Sequence, residues 1–249
     1  MTIAAMSQAV RRAAAAIAVS VAILAVTGAA PARAQDYTAI VASPDRTDAD
    51  RQTDKRRDPV SLLTFTGPKT GWKMLDMGAG AGYSTELMAR STGPTGKVYA
   101  QLGAESEKLR ARMATPPMGN VTVLVRAFDD PVPADVGGLD LITFYFAYHD
   151  TTFMEVDRAK MNKALFAALK PGGFLVVADH SARPEDGATV GKTYHRIAEQ
   201  TLRSEIEAAG FKFVSGADFL RHPEDARTAI VFRNPTPVDE FVLKFQKPM

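Results

Sequence analysis

The 249-residue chain has no cysteine, so it can form neither a disulfide framework nor an N-terminal lipid anchor through sulfur. Long apolar runs are also lacking. The longest, Ala13 to Val26, covers about 14 residues where roughly 20 are needed to span a bilayer as a helix. Neither sign of charge prevails, with 30 Lys and Arg against 28 Asp and Glu. The chain has no internal repeat, heptad pattern or disordered composition, and its length suits one globular domain with a substantial core.

Against that background the first 34 residues stand apart. Arg11-Arg12 precede the apolar run, and Pro31-Ala32-Arg33-Ala34 supplies an A-x-A site before Gln35. That order of basic, apolar and small residues predicts a secretory signal peptide, residues 1–34, cut after Ala34, in preference to a retained anchor. A twin-arginine route is a minority reading, because Ala13-Ala14-Ala15 follow the arginine pair where bulkier residues are expected. Loss of Arg11, Arg12 and Arg33 removes no acid, so the formal net charge turns from +2 to −1. The basic character therefore belongs mostly to export and gives no support to nucleic-acid binding. The expectation is a periplasmic or secreted protein without stable membrane insertion.

From Gln35 to Gly71 the sequence reads as an N-terminal cap region. A charged run spans Arg46 to Arg57, and Asp58-Pro59 open a short apolar helix that ends near Gly67. The charged run is read most simply as a solvated helix face. Residues 72–249 then alternate short apolar runs with helical periods. Strands are expected at Lys73–Met77, Lys97–Leu102, Val121–Ala127, Leu139–Phe146 and Gly173–Asp179, with helices at Ser84–Ser91, Glu105–Ala114, Glu155–Leu169 and Arg196–Ala209. Strand followed by helix, repeated, implies a parallel sheet with helices on both faces. Phe211–Ser215 and Phe241–Gln246 lack a convincing helix between them and predict a final antiparallel pair, seven strands in all.

The stretch L-D-M-G-A-G-A-G-Y-S-T (75–85) places Gly78, Gly80 and Gly82 where the first strand turns into a helix, the ligand-binding edge of an open parallel sheet. Its spacing is wrong for phosphate loops: G-x-G-x-x-G would need glycine at Tyr83, and a P-loop would need Gly-Lys-Ser/Thr. Asp76 would repel a pyrophosphate but would welcome an ammonium group, directly or through a water. The plain alternative is a tight turn without a ligand.

At this point the chain resembles the class I S-adenosylmethionine-dependent methyltransferases, whose first motif is an acid followed by G-x-G-x-G. It resembles in particular a group of bacterial predicted methyltransferases with signal peptides. The stretches that carry the likeness are K-R-R-D-P-V-S-L-L (55–63), F-A-Y-H-D (146–150), L-K-P-G-G-F-L-V-V-A-D-H (169–180), E-I-E-A-A-G-F (205–211) and F-V-L-K-F-Q-K-P (241–248). The resemblance implies a single Rossmann-like α/β domain and S-adenosyl-L-methionine as cofactor. It places Asp76, Gly78, Ala79, Gly80, Gly82 and Tyr83 at the amino acid end of that cofactor. Phe128 and Asp129 would border the adenine, or else form an acidic turn. In this fold an acid at the end of the second strand usually takes both ribose hydroxyls; here Gln101 or Leu102 stands there, and Glu105 would have to reach back.

For an oxygen or nitrogen acceptor, methyl transfer needs positioning and a base. Tyr148-His149-Asp150 follows the fourth strand, beside the expected methyl position. His149 is the candidate base, Asp150 would orient its ring and Tyr148 would shape the pocket, unless the group merely caps the following helix. His180, at the end of the fifth strand, is the candidate substrate-pocket residue, and His195 is expected to open the helix before strand six. No H-x-x-x-H or H-E-x-x-H spacing occurs, so no metal site is expected. The expected function is methyl transfer to a small molecule after export. The rival is an exported, non-catalytic binding protein on the same fold. A hydrolase using His149 and Asp150 carries little weight, because no G-x-S-x-G elbow precedes them.

Overall fold

The computed structural model describes residues 35–249, so the expected export segment lies outside the described residues. Three short helices come first: α1 (Tyr37–Val41), α2 (Asp48–Arg57) and α3 (Pro59–Thr66). Then follow β1 (Lys73–Met77), α4 (Tyr83–Thr92), β2 (Lys97–Leu102), α5 (Glu107–Met113), β3 (Val121–Val125) and β4 (Leu139–Tyr145). The remainder comprises α6 (Arg158–Ala168), β5 (Leu169–His180), α7 (Gly191–Tyr194), α8 (Glu199–Ala208), β6 (Lys212–Ala217) and β7 (Glu240–Gln246).

The seven strands form one sheet in the order β3-β2-β1-β4-β5-β7-β6. Strands β1 to β5 pair in parallel, and β7 runs antiparallel to both β5 and β6. Alternate residues of each central strand feed opposite cores. Leu75, Ile142, Phe144, Val177 and Phe245 pack on one face, and Met74, Val98, Leu141, Val176 and Val242 on the other. Burial on both faces explains why these strands read as continuous apolar runs.

The expected elements form, and three of them start three or more residues from the expected position. Helix α6 starts at Arg158, three residues later than expected, because Asp157 caps it by accepting from Lys160 N–H. Strand β5 begins at Leu169, so K-P-G-G lies within the sheet edge instead of a loop. The last long helix starts at Glu199, not Arg196: Arg196 is fully buried, bonded to Asp225 at 2.8 Å and to the Ser181 carbonyl at 3.0 Å.

The charged run 46–57 is not a solvated face. Thr47 and Asp50 form a reciprocal capping box at the start of α2, and Asp50 then receives the Arg112 guanidinium at 2.7 Å. Arg112 also pairs with Glu86, which pairs with Arg90, which reaches Asp45. Arg46 binds Asp54 with two parallel bonds of 2.8 Å, and the Tyr83 hydroxyl donates to Asp54 at 2.6 Å. These pairs clamp α2 onto α4 and α5, above the turn that leaves β1.

Candidate functional site

Gly78, Gly80 and Gly82 all have positive φ, at 64°, 55° and 82°. A side chain at Gly78 would strike Ala147 Cβ at 2.9 Å, and one at Gly82 would strike Leu109 Cδ1 at 2.7 Å. Those two glycines admit the close approach of the β4 end and of α5. Gly80 faces open space, where an added Cβ would meet only the Gly78 carbonyl, at 3.8 Å. Ala79 is buried, its N–H bonded to the Gln101 carbonyl at 2.9 Å. Helix α4 starts at Gly82 with no side-chain cap, so its first N–H groups keep the partial positive charge that attracts a carboxylate.

Asp76 does not reach this surface. It is 1 % exposed and accepts three hydroxyl hydrogen bonds, from Ser84 (2.8 Å), Thr85 (2.7 Å) and Thr143 (2.8 Å). Burial pushes its pKa up, opposed by those donors. The ammonium contact expected of it, directly or through a water, is not a direct one here; the carboxylate ties the end of β1 to the start of α4 and to β4. Tyr83 is engaged with Asp54 of the cap but lines the pocket described below.

Gln101 is also turned inward. Its side-chain carbonyl accepts from Gly78 N–H at 3.1 Å and its amide donates to the Arg126 carbonyl at 2.7 Å. It fixes the glycine loop and is fully buried, so its amide does not face the loop's outer surface where a ribose would lie. Leu102 is buried in the core, and Glu105 pairs with Arg110 at the surface instead of reaching back. Phe128 stacks on Phe144 with centroids 6.0 Å apart and lies against Gly103, forming an apolar wall beside the loop. Asp129 pairs with Lys160 at 3.1 Å, so an adenine amino group would compete with that lysine.

Between the cap and the sheet lies a cavity of about 100 Å³. Leu62 and Leu63 of α3, Leu87 and Met88 of α4 and Phe146 after β4 supply apolar walls, while Arg57 and Ser84 are polar members. Phe146 has a left-handed backbone, φ 57°, and its ring lies between the Arg57 guanidinium, 3.6 Å from the centroid, and the His180 ring, 5.2 Å away. His180 Nδ1 and Glu240 Oε1 are 2.8 Å apart but misaligned for a hydrogen bond, and both are unpartnered, as is Arg57 Nε. Three unpartnered buried polar atoms around one aromatic wall mark a functional position. Burial pushes the Glu240 carboxyl up to about 8 and the His180 imidazole down to about 3. Glu240 escaped the sequence reading because only the antiparallel register of β5 and β7 sets it opposite His180.

The remaining candidates separate. Tyr148 is fully buried, donating to Glu205 and accepting from Asn162, each at 2.8 Å, so it braces α6 and α8 and does not line the cavity beneath the cap. His149 is 3 % exposed, with Nδ1 2.6 Å from Asp179 and Nε2 3.1 Å from Asp150. Burial alone would lower its pKa, but the two carboxylates outweigh it and raise the ring to about 10. An imidazole held between two acids is favoured in its charged form, which works against the general-base role expected of His149 and leaves Nε2 directed at Asp150. Asp150 stays ionised, its pKa lowered by His149 and His195 against the effect of burial. His195 does not open a helix; it ends α7 with φ 55° and lies 3.4 Å from Asp150.

A parallel sheet with a reversed last strand, a glycine turn into an uncapped helix and an apolar wall after β3 together fit a ligand that joins a carboxylate to an aromatic base. Fold and site define a class I S-adenosylmethionine-dependent methyltransferase. Residues 52–202 match the model of the ubiE/COQ5 methyltransferase family, and the chain belongs to that family. It is similar to the ubiquinone/menaquinone biosynthesis C-methyltransferase UbiE of Idiomarina loihiensis, 28% identical over 186 residues, covering 61% of this chain and 71% of the relative. The enzyme of the same description from Vibrio campbellii is 32% identical over 175 residues, 66% of this chain and 63% of the relative. Among solved structures, a SAM-dependent methyltransferase from Aquifex aeolicus superposes with a TM-score of 0.59 at 20% identity, over 85% of this chain and 98% of that one. A putative sarcosine dimethylglycine methyltransferase from Galdieria sulphuraria gives 0.57 at 16% identity, over 81% and 99%. The cofactor of the protein is S-adenosylmethionine.

Proposed function

We propose that the protein, once exported, transfers a methyl group to a small, largely apolar acceptor held in the cavity beneath the cap. The observation that carries this reading is the cavity itself. It joins the first turn of α4, where the amino acid end of the cofactor would lie, to Arg57 and to Phe146 after β4, whose ring packs on His180 beyond the wall. The cofactor supplies an electrophilic methyl group on a sulfonium. The chain would receive the cofactor's carboxylate on the α4 N–H groups, let its backbone approach at Gly80 and exclude water with Phe128 and Phe146. Glu240, pushed up to about 8 by burial, suits proton uptake near neutral pH, and His180, 2.8 Å from it and packed on Phe146, would relay the proton, since neither residue lines the cavity. The C-methylation named for the relatives agrees with an apolar acceptor. No acid stands ready for the ribose hydroxyls, which weakens cofactor binding by about 1.5–3 kcal/mol relative to a site that has one. A role confined to binding is not favoured, because the family is one of methyltransferases.

Calorimetry with S-adenosylmethionine and its demethylated product tests the cofactor site. One molecule should bind per chain, and Gly80→Val, which adds a branched side chain at φ 55°, should weaken binding at least about tenfold. Absence of heat at millimolar ligand would sink the reading. With an acceptor in hand, Glu240→Gln should lower kcat by about 10²–10⁴ while leaving cofactor affinity unchanged.

A further inference from the structure

We propose that His149, Asp150 and His195 bind a divalent first-row transition metal ion, of the zinc or iron(II) class, in a site with an open coordination position. Their ligand atoms all lie within 4.8 Å of one another. The His149 Nε2 to Asp150 Oδ1 distance is 3.1 Å and the His195 Nδ1 to Asp150 Oδ1 distance is 3.4 Å. Ligands about 2.0–2.2 Å from a tetrahedral ion are themselves roughly 3.4 Å apart, so these separations need little adjustment. Two imidazoles and one carboxylate form the donor set that such ions take when water or substrate completes the shell.

The surroundings prepare the site. Asp179 is fully buried and fixes the His149 ring: Oδ1 lies 2.6 Å from Nδ1, and Oδ2 accepts the His149 backbone N–H at 2.8 Å. Nε2 is left as the coordinating nitrogen, and a carboxylate behind a histidine ligand is the arrangement that orients metal-bound imidazoles. His195 is brought in by α7, which packs so tightly that a Cβ on Gly191 would lie 1.9 Å from Thr152 Oγ1 and 2.8 Å from the His149 carbonyl. The Asp150 and His195 side chains are 34% and 26% exposed, so the fourth position faces solvent. An ion there takes the place of the proton shared between His149 and Asp150. Local spacing argued against a metal because residues 149 and 195 are far apart in the chain and are brought together by α7.

The test treats the full chain with a chelator, removes the chelator, and titrates it with cobalt(II) and zinc(II). One equivalent should bind, with cobalt giving the visible absorption of a low-coordinate nitrogen and oxygen site. His195→Asn, which suits the left-handed backbone at this position, and Asp150→Asn should abolish the signal. His222→Asn, at a half-buried histidine outside the cluster, should leave it intact, and Asp179→Asn should keep the stoichiometry while weakening affinity by about 10–100-fold. Thermal melts check that each variant is folded, and S-adenosylmethionine binding by His195→Asn separates failure here from failure of the cofactor reading. No stoichiometric binding, or binding that survives His195→Asn in a folded chain, would overturn the proposal.

Discussion

Glu240 shows how much one side chain can set. Its carboxyl titrates near 8 in the folded chain, above its usual 4.5. Between those values unfolding releases a proton, so its contribution to stability is whole below about pH 4.5 and is lost as the pH rises through 8, at most about 1.4 kcal/mol per unit. Glu240→Gln removes this dependence, and thermal melts should show the variant gaining on the wild type between pH 5 and pH 8. An unchanged difference across that range would mean that Arg57 already neutralises the carboxylate. The sequence made Asp76 and the glycines visible because a strand, an acid and small residues occur in one short stretch. Their division of labour was hidden. Whether Gly78 and Gly82 serve ligand or packing depends on Ala147 and Leu109, distant in the chain, and the inward turn of Gln101 depends on Arg126.

At the scale of elements, the parallel strands and their helices were legible from apolar runs and caps, whereas the docking of α2 was not. Its composition is that of a solvated helix, and only the position of Arg112, Glu86 and Tyr83 on other helices turns it into a clamp. Asp50→Ala leaves Arg112 with Glu86 as its one carboxylate partner, beside the Ala81 carbonyl, and exposes the start of α2 to fraying. The expected loss is about 2–3 kcal/mol, below the figure for a fully buried pair because Arg112 is 16% exposed. Urea unfolding measures it. Tyr83→Phe, which deletes one hydrogen bond to Asp54, should cost about 1 kcal/mol. Both changes loosen the roof of the cavity, so acceptor KM should rise more than cofactor affinity falls.

For the whole molecule, the proposed export predicts a mature chain beginning at Gln35, found by N-terminal sequencing or mass spectrometry of the periplasmic or secreted fraction. A cytoplasmic protein retaining residues 1–34 would refute it. Among the described residues no helix is long and apolar enough to cross a membrane. The insertion of β7 between β5 and β6 bears on the order of assembly. The strand that gives His180 its Glu240 is translated after every neighbour it joins, so β5 waits with an open edge until β7 has been made. Under the export proposed above, a sheet that still lacks β7 would be the form presented when translocation begins, with the edge of β5 unpaired.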